Sequence, residues 1–280
     1  MIRAVVQGIG HAVPKAVVTN EDIAKIVETS HEWIVQRTGI HERRVASPDE
    51  TASTLSIEAS REALSRAGMS AEEIDLVVCG TVTSDMLFPA TSCLVQGAIG
   101  AKRAGALDGG AACAGFIYSL SVASAMIESG QMRNILVIGV DTLTKLVDWT
   151  DRSTCVLFGD GAGAVVLKGV ENSDRGVLKT VLLSDGSGAK HICVEGGGAK
   201  HAFGSPTYGD VNHKIYMAGA EVYRFAVNAM GDACCKLLEM AGMDASQIDL
   251  FVPHQANLRI INSAAERLGL PEEKVFINVH

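Results

Sequence analysis

The segment from Ala106 to Phe116, Ala-Leu-Asp-Gly-Gly-Ala-Ala-Cys-Ala-Gly-Phe, places a cysteine in a setting that favours chemistry. A short apolar run ends in small residues, and a helical pattern follows, which predicts a strand, a tight turn and a helix start. Cys113 would then lie at the helix N-terminus, where the helix dipole and free backbone N–H groups stabilise an anion. Such a position lowers a thiol pKa from about 8.5 and favours the nucleophilic thiolate. A small buried cysteine in a packed turn is the alternative interpretation.

A second residue that could do chemistry lies near the other end of the chain. Leu250-Phe251-Val252 predicts a strand that runs directly into Pro253-His254-Gln255-Ala256-Asn257, with a helix starting near Asn257. Ligands in layered α/β folds gather at the carboxyl ends of strands, and both Cys113 and His254 follow a predicted strand. A lone histidine is more often structural, so it is the pairing with Cys113 that favours a catalytic role.

Alternating strands and helices are predicted around these two residues. Buried strands are expected at 74–80 and 134–140, and helices at 51–68, 113–129 and 218–240. This alternation predicts α/β layers in which helices cover a mixed sheet.

Three further predictions concern the connections. Asn20 is expected to cap a helix over 21–28, and Gly159-Asp160-Gly161 is expected to join strands at 156–158 and 162–167. Residues 170–212 have the polar, glycine-rich composition of a long connection.

An internal repeat divides the chain into two similar halves. Residues 67–76 match residues 241–250 at seven of ten positions, and in both copies a helical pattern ends, a turn follows and an apolar run begins. We therefore predict an N-terminal half at 1–169 and, at 170–280, the connection followed by a second half. Because the second half ends at His280, its sheet and core would be incomplete, so we expect a truncated copy of a longer protein.

Composition excludes several classes of function. The net charge of −8 argues against general nucleic-acid binding, which needs a basic surface. No apolar run approaches the roughly 18 residues that cross a bilayer, and the N-terminus lacks a signal-peptide pattern, so we expect no membrane association. Seven cysteines without a C-x-x-C pair fit reduced thiols in the cytoplasm better than disulfides or a metal site.

Four stretches resemble β-ketoacyl-acyl-carrier-protein synthase III, and they occur in order along the chain: 32–40, 111–116, 158–164 and 252–260. The resemblance implies a duplicated, thiolase-like α-β-α-β-α fold and a homodimer. It also implies an acyltransferase that condenses a short primer acyl-CoA with malonyl-acyl-carrier protein and starts type II fatty acid synthesis. No cofactor or metal is implied, since the coenzyme A thioester is a substrate.

Two alternatives stay open beside this resemblance. A starter condensing enzyme of polyketide or quinolone-type metabolism would share the fold and the motifs. A non-catalytic acyl-CoA-binding or dimer-partner protein is a third interpretation, favoured only if the truncation is genuine, and the presence of both Cys113 and His254 argues against it.

The resemblance also assigns roles to individual residues. Cys113 would form an acyl-enzyme, and His254 would donate a hydrogen bond to the thioester oxygen as negative charge develops there. The family pairs this histidine with an asparagine in a later Gly-Asn-Thr stretch that this sequence does not contain. We therefore expect poor condensation from the 280-residue chain alone.

Positions that match binding residues of the family fall into three groups. Those expected to contact coenzyme A are Thr29, Trp33, Arg37, Arg152, Gly219 and Asn257, with Trp33 and Arg152 on either side of the adenine. Ala220 departs from the family pattern, which often has asparagine there. Phe88 is expected to close the acyl pocket of a partner subunit, and the residues expected to dock the acidic carrier protein are Arg224, Arg259 and Arg267.

Overall fold

The computed structural model describes all 280 residues, which contacts divide into two compact units. Unit 1 comprises Met1–Ala16, Arg44–Thr142 and Asp160–Leu182. Unit 2 comprises Val17–Arg43, Leu143–Gly159 and Leu183–His280. The halves predicted at 1–169 and 170–280 were inferred from a sequence repeat, not from contacts, and their duplication stays a prediction. None of the helices combines the length and apolar character needed to span a membrane.

Nine strands and eight α-helices follow one another along the chain. The strands are β1 (Ile2–Ala12), β2 (Ala16–Thr19), β3 (Glu42–Val45), β4 (Leu76–Gly80), β5 (Gly105–Gly109), β6 (Asn134–Thr142), β7 (Asp160–Glu171), β8 (Ile192–Cys193) and β9 (Tyr216–Met217). The helices are α1 (Asn20–Ile23), α2 (His31–Thr38), α3 (Ala52–Ala67), α4 (Thr91–Ile99), α5 (Gly115–Glu128), α6 (Arg152–Cys155), α7 (Gly219–Ala241) and α8 (Leu258–Leu268).

Unit 1 is built on a five-stranded mixed sheet in the order β1-β7-β6-β4-β5. The strands β4, β5 and β6 run parallel, and β7 is antiparallel to both β6 and β1. Helices α3 and α4 pack on one face and α5 packs on the other, each over its own apolar core. The parallel strands bring the carboxyl ends of β4, β5 and β6 to one edge, where Cys113 follows β5.

Unit 2 is mainly helical, and its core joins elements that are far apart in the sequence. Buried side chains from α1, α2, α6 and α8 meet there with Ile215 and Val279. Helices α7 and α8 also pack against each other. Apart from the end of β7 and the short strand β8, the connection predicted at 170–212 is made of loops and short 3₁₀ turns. The strand β8 pairs with β9, which follows the connection.

The repeated sequence folds into repeated local structure. Helices α3 and α7 both end at a glycine with a left-handed φ of 63°, Gly68 and Gly242. In each copy a 3₁₀ turn follows, Ala71–Glu73 or Ala245–Gln247, and a capping box fixes its start. The expected second strand at 250–252 is reduced to a single parallel bridge between Phe251 and Val275. The helical end of the repeat is therefore the better preserved part.

Two predicted elements are wrong. The helix expected at 21–28 is only Asn20–Ile23, and Thr19 caps it, because the buried Asn20 side chain donates to the Ile40 carbonyl and accepts from Arg43. The hairpin expected around Gly159-Asp160-Gly161 does not form: Arg152–Cys155 is helical, and β7 begins at Asp160 itself.

Candidate active site

The candidate nucleophile, Cys113, lies in a 3₁₀ turn, Ala112–Ala114, that leads without a break into α5. The predicted order of strand, turn and helix is confirmed, because β5 ends at Gly109 and α5 begins at Gly115. Ala112 has a φ of 44°, a left-handed conformation that costs energy in a residue with a Cβ. No side chain caps α5, so its N-terminus stays open beside the cysteine.

Close backbone packing holds this turn in place. A Cβ built on Gly80, at the end of β4, would overlap the backbone of Gly115 at the start of α5. On the adjacent strand, a Cβ built on Gly139 would come within 2.9 Å of Phe116 Cβ. The two glycines let the first turn of α5 lie directly on the sheet, which fixes where Cys113 stands.

The direction predicted for the Cys113 pKa is wrong. The residue is exposed by surface area, yet many protein atoms surround the thiol, and this desolvation is the largest cause that raises its pKa. The Asp141 carboxylate also raises the pKa, and the N–H of Cys113 itself acts in the opposite direction. The open helix end therefore does not outweigh burial, and the resting side chain is a neutral thiol.

Asp141 is a residue that sequence reasoning missed. It lies near the end of β6, and its Oδ1 accepts from Val82 N at 2.9 Å, Thr83 Oγ1 at 3.0 Å and Thr81 Oγ1 at 3.2 Å. Burial raises the pKa of this carboxyl, although the three donors oppose the shift. Asp141 thus anchors the loop after β4. Its sequence signal is weak, since only its position at the end of a parallel strand sets it apart.

His254 belongs to unit 2, where it lies in the loop between the Phe251 bridge and α8. Desolvation lowers the pKa of its imidazole, so the ring is neutral at physiological pH. A neutral imidazole has one N–H donor and one acceptor nitrogen. Because Cys113 and His254 belong to different units, their pairing across a pseudo-two-fold axis stays a prediction.

The side chains of Asn257 and Gln255, on the same loop, hydrogen-bond to backbone atoms and hold the loop in place. Asn257 caps α8, since its Oδ1 accepts from Arg259 N at 2.9 Å, and its Nδ2 donates to the Arg37 carbonyl at 3.1 Å. The Gln255 carboxamide hydrogen-bonds to Phe276 and Asn278. A helix start near Asn257 was predicted, whereas the capping role of Asn257 and the role of Gln255 were missed.

Two arginine guanidinium groups lie near the indole ring of Trp33. The guanidinium carbon of Arg152 lies 5.0 Å from the ring centroid and that of Arg37 lies 5.8 Å away. Arg152 also donates to the Glu28 carbonyl at 2.9 Å. A base between two planes needs about 7 Å, twice a contact distance of about 3.5 Å. The predicted pair is therefore together, but too close for an adenine to lie between its members without movement of Arg152.

Thr29 and Gly219 are the remaining residues expected to bind coenzyme A. Thr29 Oγ1, four residues before Trp33, is buried without a hydrogen-bond partner, so a ligand could bond it only after the atoms that cover it move. Gly219 begins α7, where no side chain caps the helix, and Ala220 beside it is exposed. The Thr29 hydroxyl and the uncapped start of α7 are thus unsatisfied polar groups at positions expected to bind coenzyme A.

Phe88 is 83% exposed, and the neighbouring Leu87 is 89% exposed. The loop that carries them is anchored at Asp85, which accepts from Ser53 N at 2.9 Å and Thr51 Oγ1 at 2.8 Å. A cis peptide bond joins Phe88 to Pro89. Two large apolar side chains thus project into solvent from a firmly held loop.

The three arginines expected to dock a carrier protein lie on α7 and α8. Arg224 pairs with Glu221 at 2.6 Å and Arg267 pairs with Asp232, so both charges are partly neutralised. Arg259 lies over the Tyr223 ring, 5.2 Å from its centroid, and has no carboxylate within 4.0 Å. No group of three or more His, Cys, Asp or Glu side chains in the structure could hold a metal ion.

Comparisons with known proteins identify the same family in two segments of the chain. Residues 107–186 match the family "3-Oxoacyl-[acyl-carrier-protein (ACP)] synthase III", and residues 238–280 match its C-terminal part. The chain is 49% identical over 274 residues to a β-ketoacyl-[acyl-carrier-protein] synthase III from Symbiobacterium thermophilum. This match covers 98% of the chain and 83% of that relative.

Solved structures agree over nearly the whole chain. The 3-oxoacyl-[acyl-carrier-protein] synthase III of Aquifex aeolicus is 44% identical with a TM-score of 0.90, covering 99% of this chain and 84% of that one. The priming β-ketosynthase of the R1128 polyketide pathway is 38% identical with a TM-score of 0.90, and the match covers 99% of this chain and 81% of that one. The fold predicted from the sequence is therefore confirmed.

Proposed function

The chain belongs to the β-ketoacyl-[acyl-carrier-protein] synthase III family, and from this premise we propose its reaction and the residues that carry it. It condenses a short primer acyl-CoA with malonyl-acyl-carrier protein, releases carbon dioxide and gives the 3-oxoacyl-acyl-carrier protein that starts type II fatty acid synthesis. Similarity to such synthases over 98% of the chain is the observation that carries this function. We propose acetyl-CoA as the primer, and no cofactor.

In the first half-reaction, Cys113 Sγ attacks the carbonyl carbon of the acyl-CoA thioester. A bond forms between that carbon and Sγ, the bond to the coenzyme A sulfur breaks, and the thiol proton leaves with coenzyme A. The raised pKa keeps Cys113 as a thiol until the substrate arrives. The N–H of Cys113 at the open start of α5 would stabilise the tetrahedral oxyanion.

In the second half-reaction, malonyl-acyl-carrier protein loses carbon dioxide and leaves an enolate on its thioester. His254, neutral because desolvation lowers its pKa, would donate an N–H to the enolate oxygen as charge develops. The enolate carbon then attacks the acyl-enzyme carbonyl, and the bond to Cys113 Sγ breaks. The cysteine takes up a proton and returns to the thiol.

Coenzyme A would bind at the face of unit 2 that carries Trp33. Arg152 would move off the indole and stack on the outer face of the adenine, since guanidinium and indole planes both stack on a base. The charge of Arg37 would offer a further polar contact, and the unpaired hydroxyl of Thr29 would offer another if movement of the segment uncovers it. Asn257 and Gly219 would line the path of the pantetheine arm.

A homodimer is supported by two features of unit 1. The strand β5 lies at an edge of the sheet with one side unpaired, and the exposed Leu87 and Phe88 project from a loop that contacts its end, where Thr81 N donates to Gly109 O. Unpaired edges and exposed apolar side chains are typical of interfaces. Phe88 would then close the acyl pocket of the second copy.

The carrier protein would dock on the arginines of α7 and α8. Arg259 contributes most, because Arg224 and Arg267 already share their charge with carboxylates. A local basic patch on a chain of net charge −8 steers an acidic partner to one place. Seven free cysteines support a reducing compartment, and we propose the cytoplasm.

A starter enzyme of polyketide metabolism is the second candidate. The observation that favours it is the 38% identity and the TM-score of 0.90 to a priming β-ketosynthase. The two candidates share the acylation of Cys113 and differ in the acyl group.

Acylation of Cys113 tests the proposed function. Full-length protein incubated with acetyl-CoA should gain one acetyl group, detected by intact mass and located on Cys113 by peptide mapping. Cys113→Ala should gain none, and Cys93→Ala, which removes another exposed cysteine, should gain one as the wild type does. An unmodified Cys113 in folded protein contradicts the covalent mechanism. A faster reaction with a longer or branched acyl-CoA favours the starter enzyme.

A further inference from the structure

A short parallel ladder joins Phe251 to the segment around Val275 in unit 2. Phe251 N donates to Lys274 O at 2.7 Å, and Phe251 O accepts from Phe276 N at 2.9 Å. In a parallel ladder every second residue of a strand bonds to the neighbouring strand. The residue two positions after Phe251 should therefore bond to partners two positions after those of Phe251. That residue is Pro253, whose partners would be the Phe276 carbonyl and the Asn278 N–H.

Pro253 is unable to continue the ladder, because proline has no N–H to donate. The Gln255 side chain makes both bonds in its place: Nε2 donates to Phe276 O at 2.9 Å and Oε1 accepts from Asn278 N at 2.8 Å. A carboxamide carries the same donor and acceptor as a peptide group. The side chain of Gln255 therefore replaces the missing peptide unit.

The same carboxamide also holds the chain on the other side of His254. Gln255 Nε2 donates to Pro253 O at 3.1 Å, so one side chain spans the residue between them. Downstream, Asn257 fixes the loop to α8 through its cap. The backbone on both sides of His254 is thus tied to the neighbouring segment while its imidazole takes no part in the ladder.

We propose that Gln255 is the positioning residue of His254, and this inference rests on the proposed role of His254 in condensation. It aims the imidazole by replacing the peptide unit that Pro253 lacks. The acylation of Cys113 does not use His254 in the proposed mechanism. Loss of the Gln255 bonds should therefore slow condensation and leave acylation unchanged.

Gln255→Glu in the full-length protein, compared with Gln247→Glu, tests this inference. The first change removes two donated bonds and places a carboxylate against two carbonyl oxygens. Gln247 only accepts, from Asp244 N at 2.9 Å, so glutamate keeps its bond. At pH 8 we expect kcat for condensation to fall at least about tenfold in Gln255→Glu and to change less than about twofold in Gln247→Glu. Acylation of Cys113 should keep its rate in both variants.

A pH profile separates positioning from a general loss of structure. In Gln255→Glu one oxygen of the introduced carboxyl would keep the bond from Asn278 N, which favours the anion, and the other would face the Pro253 and Phe276 carbonyl oxygens, which disfavour it. Two carbonyl oxygens against one N–H donor should raise the pKa of this carboxyl. Once protonated, this carboxyl donates one hydrogen bond again. The activity of Gln255→Glu relative to wild type should therefore recover as the pH is lowered from 8 towards about 5.5, whereas Gln247→Glu should show no such recovery.

Hydrogen exchange tests the ladder without any activity. In Gln255→Met, exchange at the Asn278 N–H should accelerate at least about tenfold, because its acceptor is gone, while exchange at the Phe276 N–H should not change. Equal kcat in the two glutamate variants, a parallel loss of acylation, or unchanged exchange at Asn278 would overturn the inference. The condensation assays use the full gene product, including any residues that follow His280. If that wild-type protein does not condense malonyl-acyl-carrier protein, the proposed function is overturned, and this inference with it.

Discussion

The turn that carries Cys113 and the loop that carries His254 are held by different means. The turn depends on the absence of side chains, since Gly80 and Gly139 let the start of α5 lie on the sheet. The loop depends on side chains, since Gln255 and Asn257 bond to backbone atoms that are far away in the sequence. Close packing leaves the turn that carries Cys113 little freedom to move. The hydrogen bonds that hold the loop of His254 can instead be removed one at a time by substitution.

Gly80→Ala should have the largest effect and tests the packed turn. The new methyl group would overlap the Gly115 backbone, and overpacking of this kind costs about 1–3 kcal/mol or more. We expect a loss of unfolding free energy, measured in urea, together with a fall in the Cys113 acylation rate. Gly97→Ala is the matched control: Gly97 lies in α4 with open space around it, and alanine there should stabilise by about 0.5–1 kcal/mol. Equal effects of the two changes would show that packing does not hold the turn.

Asn257→Ala should have an intermediate effect and tests the bonded loop. It removes the cap of α8, which costs about 1 kcal/mol, and the link to Arg37. Asn257→Asp keeps the cap acceptor and removes only the Nδ2 donor. We expect both variants to raise the KM for acyl-CoA, and only the alanine variant to lose stability in urea. A loss of stability in the aspartate variant as large as that in the alanine variant would mean that the Arg37 link, rather than the cap, carries the stabilisation.

The smallest effect concerns the pH dependence of the unfolding free energy. The turn that carries Cys113 and the loop that carries His254 should contribute to it with opposite signs. Between the ordinary histidine pKa of 6.5 and the lower pKa of folded His254, the unfolded chain binds more protons, so stability falls as the pH falls. Between the ordinary thiol pKa of 9.0 and the higher pKa of folded Cys113, the folded chain binds more protons, so stability falls as the pH rises.

Two variants check these slopes in urea unfolding across the pH range. His254→Gln should reduce the slope on the acid side. Cys113→Ser should reduce the slope on the alkaline side. The thiols of Cys79, Cys155 and Cys234, whose pKa values burial also raises, keep the remainder of the alkaline slope. An unchanged slope in either variant would assign it to other groups.

The ends of α3 and α7 and the start of α5 were predicted well because local residues determine them, unlike the helix expected at 21–28. Gly68 and Gly242 end α3 and α7 where the pattern indicated, and the helix after Cys113 begins within two residues of its expected start. The hairpin at 156–167 was wrong because pairing of β7 with β1 and β6 outweighs a local turn signal. The turn that carries Cys113 was predicted from local residues, but the raised pKa of its thiol depends on burial and on Asp141, which is distant in sequence. The role of Gln255 depends on bonds across 21 and 23 residues.

The exchange of a peptide unit for a side chain links the evolution of two positions. While residue 253 is proline, the Gln255 carboxamide is needed, and its replacement carries the full cost of the lost bonds. If position 253 first acquires a residue with an N–H, the backbone can make those bonds itself and position 255 is free to drift. The order of substitution therefore decides whether a change at 255 is harmful or neutral, which makes these two positions an epistatic pair.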